Sequence, residues 1–67
     1  MAVARVTKIT AASSKGFEEA VNEGINRAAK TLRSITGFEV LSLKGKVEKG
    51  EIVEYRVTME VTFILED

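Results

Sequence analysis

"VEYRVTMEVTFIL", residues Val53 to Leu65, alternates more cleanly than any other stretch of the chain. Val53, Tyr55, Val57, Met59, Val61, Phe63 and Leu65 fall on one face. Glu54, Arg56, Thr58, Glu60 and Thr62 fall on the other, with Ile64 breaking the polar set near the end. A period of two is the mark of a strand with one buried face. At about fifteen residues, with its lead-in from Glu51, it is long for a strand and has to curve.

Outward from this strand lies "EKG", Glu48 to Gly50, a short hairpin loop whose glycine supplies positive φ. Before it, "FEVLSLKGKV", Phe38 to Val47, reads as a second strand. Strict alternation sends Phe38 and Val40 one way and Glu39, Leu41 and Leu43 the other. The junction "RSITGFEV", Arg33 to Val40, then raises the question of Gly37. It is either a helix stop at C′, with Phe38 making the accompanying apolar contact, or the floor of a binding site from which a large side chain is missing.

The helix before this junction follows from spacing. Phe17, Ala20, Val21, Gly24, Ile25, Ala28, Leu32 and Ile35 step by threes and fours and make one stripe on a helix of about five turns. Glu19, Glu23, Asn26, Arg27, Lys30 and Arg33 form the solvated side. In "TAASSKG" either Ser13 or Ser14 is the expected N-cap, and Glu18 and Glu19 suit the positive end of the helix dipole. Gly24 on the apolar stripe implies close approach of backbone from the sheet, since glycine there otherwise costs about 1 kcal/mol. A first strand spans Val3 to Ile9, with Ala4 and Val6 on one face and Val3, Arg5, Thr7 and Ile9 on the other.

The order is β-α-β-β. The expected fold is α+β, a three-stranded antiparallel sheet wrapped around one helix, with the first strand beside the third. One sheet face covers the helix stripe. The other is mixed and leaves Leu41 and Leu43 bare, which asks for a partner, most economically a copy of the same chain.

Bulk properties agree. The 67 residues make one domain, 1–67, with neither Cys nor His to staple it by disulfide or common zinc site. Ordering such a chain costs roughly 100 kcal/mol, which a small core barely offsets, so association is expected. Ten basic and ten acidic residues cancel and are interspersed, unlike the basic stripe of a nucleic-acid binder. No apolar run approaches the roughly 20 residues of a membrane span, and "MAVARVTKIT" lacks a secretory apolar stretch. The expectation is a cytoplasmic protein without nucleic-acid or membrane partners.

Enzyme chemistry is not expected either. The usual general base and thiol nucleophile are absent. The Ser13–Ser14 pair is accounted for by capping, and glycines 16, 24, 37, 45 and 50 do not space like a phosphate-cradling loop. Glu54 and Glu60 read as solvated carboxylates, with metal binding arising only where symmetry brings copies together.

Several segments resemble the dodecins, small flavin-binding proteins that assemble as hollow dodecamers. They are the helix opened by Ser13-x-x-Gly16, "RA" at Arg27–Ala28, "TLR" at Thr31 to Arg33, "FEV" at Phe38 to Val40, and the closing "EYRVTMEVTFILED". The likeness runs from about Val6 to Glu66 without a large gap. It implies a homo-oligomer, by resemblance a homododecamer, that binds and stores a small molecule of the flavin class, riboflavin or FMN. In typical members a tryptophan immediately precedes "FEV" and stacks on the flavin, and a glutamine after the last strand's tyrosine bonds the ring's polar edge. Those positions are Gly37 and Arg56 here, and neither matches. A basic residue that many members carry early in the loop after the second strand is kept in kind as Lys44. The cofactor-binding residues implied are therefore Gly37, Arg56 and Lys44, with flavin binding weakened or lost. The alternative is a cage that binds ions or an anionic metabolite instead. Apart from the resemblance, Arg56 is simply a polar-face residue suited to pairing with Glu39 or Glu54.

Overall fold

The computed structural model describes residues 3–65; Glu66, where the resemblance ends, lies outside them. The elements are β1 (Val3–Ser13), α1 (Phe17–Ala28), β2 (Ile35–Glu48) and β3 (Glu51–Leu65), in the expected β-α-β-β order. The sheet is antiparallel with strand order β1-β3-β2, so the longest strand lies in the middle. β1 runs four residues beyond Ile9, because its pairing with β3 continues through Ala11↔Val57 to Ser13↔Tyr55.

The alternating strand is buried along its centre, while Val53 and Leu65 at the ends of its apolar face stay exposed. Val57, Met59 and Val61 are fully buried together with Ala20 of α1, and Ile9, Ala11, Phe17, Val21, Ile25 and Ile35 pack around them. Phe17 meets Tyr55 edge to face, with ring centroids 5.1 Å apart at 79°, a favoured aromatic geometry. α1 lies chiefly over β1 and β3.

Four local expectations are corrected. First, α1 has 12 residues and about three turns, not five. The Ala28 carbonyl accepts from Thr31 N, Leu32 N and Thr31 Oγ1, which tightens the chain into turns after the last helical residue. Ser34 then takes φ 59° and swings the backbone into the sheet, where its carbonyl accepts from Ile64 N at 3.1 Å. Ile35 therefore reaches the core from β2, opposite Phe63, and not from the helix.

Second, Gly37 is not a helix stop. It lies inside β2 opposite Thr62, and positive φ belongs to Ser34, Lys49 and Gly50 instead. Third, neither Ser13 nor Ser14 caps α1: the N-cap is Gly16, with no side-chain bond, and the Ser13 hydroxyl accepts from Lys15 N at 3.0 Å. Fourth, β2 carries irregularities between Ile35 and Gly37, Val40 and Ser42, and Lys46 and Val47. An extra residue at Leu41 resets the alternation. Leu43 therefore sits opposite Val57, on the helix side, and not on the outer face.

Leu41 stays 44% exposed, and further apolar surface is left bare beside the helix. Phe38 and Leu43 are 50% and 56% exposed, with Val40 next to them, because α1 ends before it reaches β2. Gly24 does mark a close approach, from side chains and not from backbone. A Cβ there would lie 2.5 Å from Met59 Cε and 3.0 Å from Ala11 Cβ. Past Ser13↔Tyr55 the β2–β3 hairpin continues alone, stretching the chain to 52 × 19 × 13 Å. Its two-residue turn has Lys49 at φ 53° and Gly50 at φ 78°, the pattern of a type I′ hairpin.

Candidate functional site

The residues singled out from the sequence all lie on the sheet face turned away from α1. Directly opposed residues in a sheet share a face, and the register arranges this face in cross-strand rows. Val6, Thr62 and Gly37 form one row; Lys8, Glu60 and Glu39 the next; then Thr10, Thr58 and Ser42; then Ala12, Arg56 and Lys44. Lys46 and Glu54 follow on the hairpin.

Gly37 is an open position: a Cβ built on it would meet nothing within 4 Å. Around it stand Val6, half exposed, and Thr62, so the floor there is small and flat. Six positions along β3 separate Thr62, beside Gly37, from Arg56. At about 3.3 Å per residue that is roughly 20 Å. One chain therefore does not bring Gly37 together with Arg56, and a ligand touching both positions needs a second copy.

Arg56 and Lys44 are brought together. They are direct cross-strand partners and line a concavity of ≈ 380 Å³ with Gly45, Lys46 and Glu54. Arg56 Nη2 donates to Glu54 Oε1 at 2.7 Å, the ion pair expected with one of two candidate glutamates. Glu39 is instead opposite Glu60. Lys46 lies 3.6 Å from Glu48, while Lys44 has no carboxylate within salt-bridge distance among the described residues. Three cations on an exposed concave surface suit an anionic group, and the guanidinium can bind a phosphate bidentately. Glu54 neighbours Arg56 on the same strand face, as alternation requires, whereas Lys46 was not anticipated as a member: only the strand register, which sets it opposite Glu54, puts it there.

The outer face carries no aromatic ring among the described residues. Tyr55, Phe63 and Phe38 are on the helix side with Ser13, Ile35 and Val61 as partners, and Phe17 belongs to α1. The centre of the outer face is hydroxyl-lined, with Thr10 and Thr58 Oγ1 atoms 3.1 Å apart.

Comparison with known proteins gives a consistent result. The family model described as Dodecin matches residues 3–66. A dodecin from Thermus thermophilus is 35% identical over 65 residues, spanning 97% of this chain and 94% of that protein. The solved dodecin from Streptomyces davaonensis superposes with a TM-score of 0.94 at 39% identity, covering 98% of this chain and 97% of that one. A calcium-chelating dodecin from Mycobacterium tuberculosis, with its own calcium-binding site, superposes with a TM-score of 0.82 at 29% identity over 96% of this chain and 91% of that one.

Proposed function

Because the chain belongs to the dodecin family, we propose that it binds and stores a small molecule of the flavin class as a hollow homo-oligomer, a dodecamer by family. It acts as a binding protein, not an enzyme, and works in the cytoplasm. Among the described residues no helix is long and apolar enough to cross a membrane.

The observation that carries the reading is the outer sheet face. It holds an open floor at Gly37 and a cationic concavity at Lys44 and Arg56, about 20 Å apart on one chain. Copies packed face to face complete such a site. The residues present fit the anionic part of a phosphorylated flavin. They do not fit a stacked isoalloxazine, because no ring of this face is available to it. Losing an aromatic partner removes about 0.5–1.5 kcal/mol of stacking together with its buried area. Flavin is accordingly held weakly, and FMN better than riboflavin.

A cage that binds metal ions is the second reading: within one chain the described residues contain no group of three or more side chains suited to a metal, so such a site would lie where copies meet.

Titration of riboflavin and FMN into the purified oligomer, followed by flavin fluorescence with assembly checked by light scattering, tests the reading. Quenching, stronger for FMN, supports it. An intact oligomer that quenches neither ligand overturns the flavin assignment.

A further inference from the structure

Both outer strands of the sheet, β1 and β2, have a free edge. Beside the β1 edge runs a groove of ≈ 440 Å³ between that strand and α1, lined by Ile9, Ala11, Gly24 and Ala28 with Glu23 and Arg27 at its rim. Its small side chains leave the space. At the opposite end of the sheet, β2 presents Val40 and Leu43 on the helix side with no helix above them. One edge has a cover and no side chains to fill it, and the other has side chains and no cover.

Charge gives the pairing a register. β1 carries Arg5 and Lys8 and no carboxylate, so two β1 edges repel. Glu39 of β2 is opposed by Glu60, a destabilising like-charge pair. Lys8 stands opposite Glu60 on the far side of β3, and among the described residues it has no carboxylate within salt-bridge distance. A second Lys8, arriving at the β2 edge, would neutralise Glu39.

We propose that the β2 edge of one copy adds to the β1 edge of another, with Glu39 beside Lys8 of the neighbour. The strands run parallel, because β1 and β2 are both antiparallel to β3 and both sheets keep their helices on the same side. In that register Val40 and Leu43 fall alongside Ile9 and Ala11 and enter the groove under the neighbour's α1. The contact is heterologous and closes into a ring where its rotation permits. The inference rests on the homo-oligomeric reading above and adds which surfaces meet.

The chain has no cysteine, so Lys8→Cys with Glu39→Cys is a clean probe. Within one chain the two positions are separated by the whole of β3, about 9–10 Å at the usual strand spacing, beyond disulfide reach. Mild oxidation of the double variant is expected to give covalent multimers on non-reducing gels, and each single variant none. Leu43→Glu, at a site exposed in its own chain, is expected to lower the mass measured by light scattering while its circular dichroism is unchanged. An oligomeric wild type whose double variant gives no more cross-link than the singles overturns this interface and leaves the oligomer intact. A monomeric wild type overturns both.

Discussion

Lys44 and Arg56 stand directly opposite one another on β2 and β3, and only Arg56 has a carboxylate, Glu54 at 2.7 Å. Like charges in that relation are unfavourable by a fraction of a kcal/mol. The fold accepts this arrangement because the face is open to solvent: the Arg56 and Glu54 side chains are 53% and 33% exposed. The consequences of this pair concern binding more than stability.

Arg56→Gln should change the stability of the assembled protein by less than about 1 kcal/mol, the ceiling for exposed ion pairs. Chemical denaturation of wild type and variant side by side checks this. The same substitution should weaken FMN more than riboflavin, since it removes a phosphate-directed cation.

Gly37→Trp combined with Arg56→Gln should create or tighten flavin binding. The backbone at Gly37 is ordinary strand and a Cβ there meets nothing within 4 Å, so a side chain can leave this position without a clash at its root. Stacking and burial together amount to a few kcal/mol, so the dissociation constant should fall by about 100-fold. An unchanged affinity in fluorescence titration would remove Gly37 and Arg56 from the ligand site.

Gly24→Ala should destabilise by about 1 kcal/mol despite the better helix propensity of alanine. The new methyl would meet Ala11 Cβ at 3.0 Å and Met59 Cε at 2.5 Å, and overpacking of this kind typically costs about 1–3 kcal/mol. Combining it with Met59→Val should give less than the sum of the two single effects, measured as a coupling energy in a double-mutant cycle.

Lys49→Asn should stabilise by about 0.5 kcal/mol, because asparagine tolerates left-handed turn geometry far better than lysine. Lys49 and Gly50 both have positive φ in the two-residue turn. Ser34→Gly should act in the same direction, since Ser34 also sits at φ 59° and left-handed geometry costs a side chain about 1 kcal/mol. Thermal unfolding of the two variants would show raised midpoints; a lowered midpoint for Ser34→Gly would mean that its hydroxyl matters more than its backbone strain.

The central strand was legible in type and face: Val57, Met59 and Val61, three of the seven residues on its apolar side, are core, while Val53 and Leu65 at its ends stay exposed. The hairpin turn and the pairing of the first strand with the third were legible as well, and Glu54 was one of the two partners expected for Arg56. The helix end was not. Leu32 and Ile35 continue the helical spacing, and between Phe17 and Gly37 no proline, and no glycine past Gly24, marks a stop. Pairing of Ser34 and Ile35 with the end of β3 outweighs helix propagation there. The face of Leu43 was hidden for a related reason, because a single extra residue in a strand reverses every later side chain and carries no composition signal at Leu41.

By itself the sequence determined the β-α-β-β order and the buried face of β3, and its motifs carried the resemblance to the family. Local periodicity decides the first two, and the order and spacing of a few short segments carry the third; all are properties of the chain read in order. Only the tertiary structure decided where α1 ends, that Leu43 joins Val40 beside the helix, and that Gly37 lies about 20 Å from Arg56 along β3. These depend on the register between strands distant in sequence. Register is set by the competition of backbone hydrogen bonds with side-chain packing across the whole sheet, and no single segment contains that information.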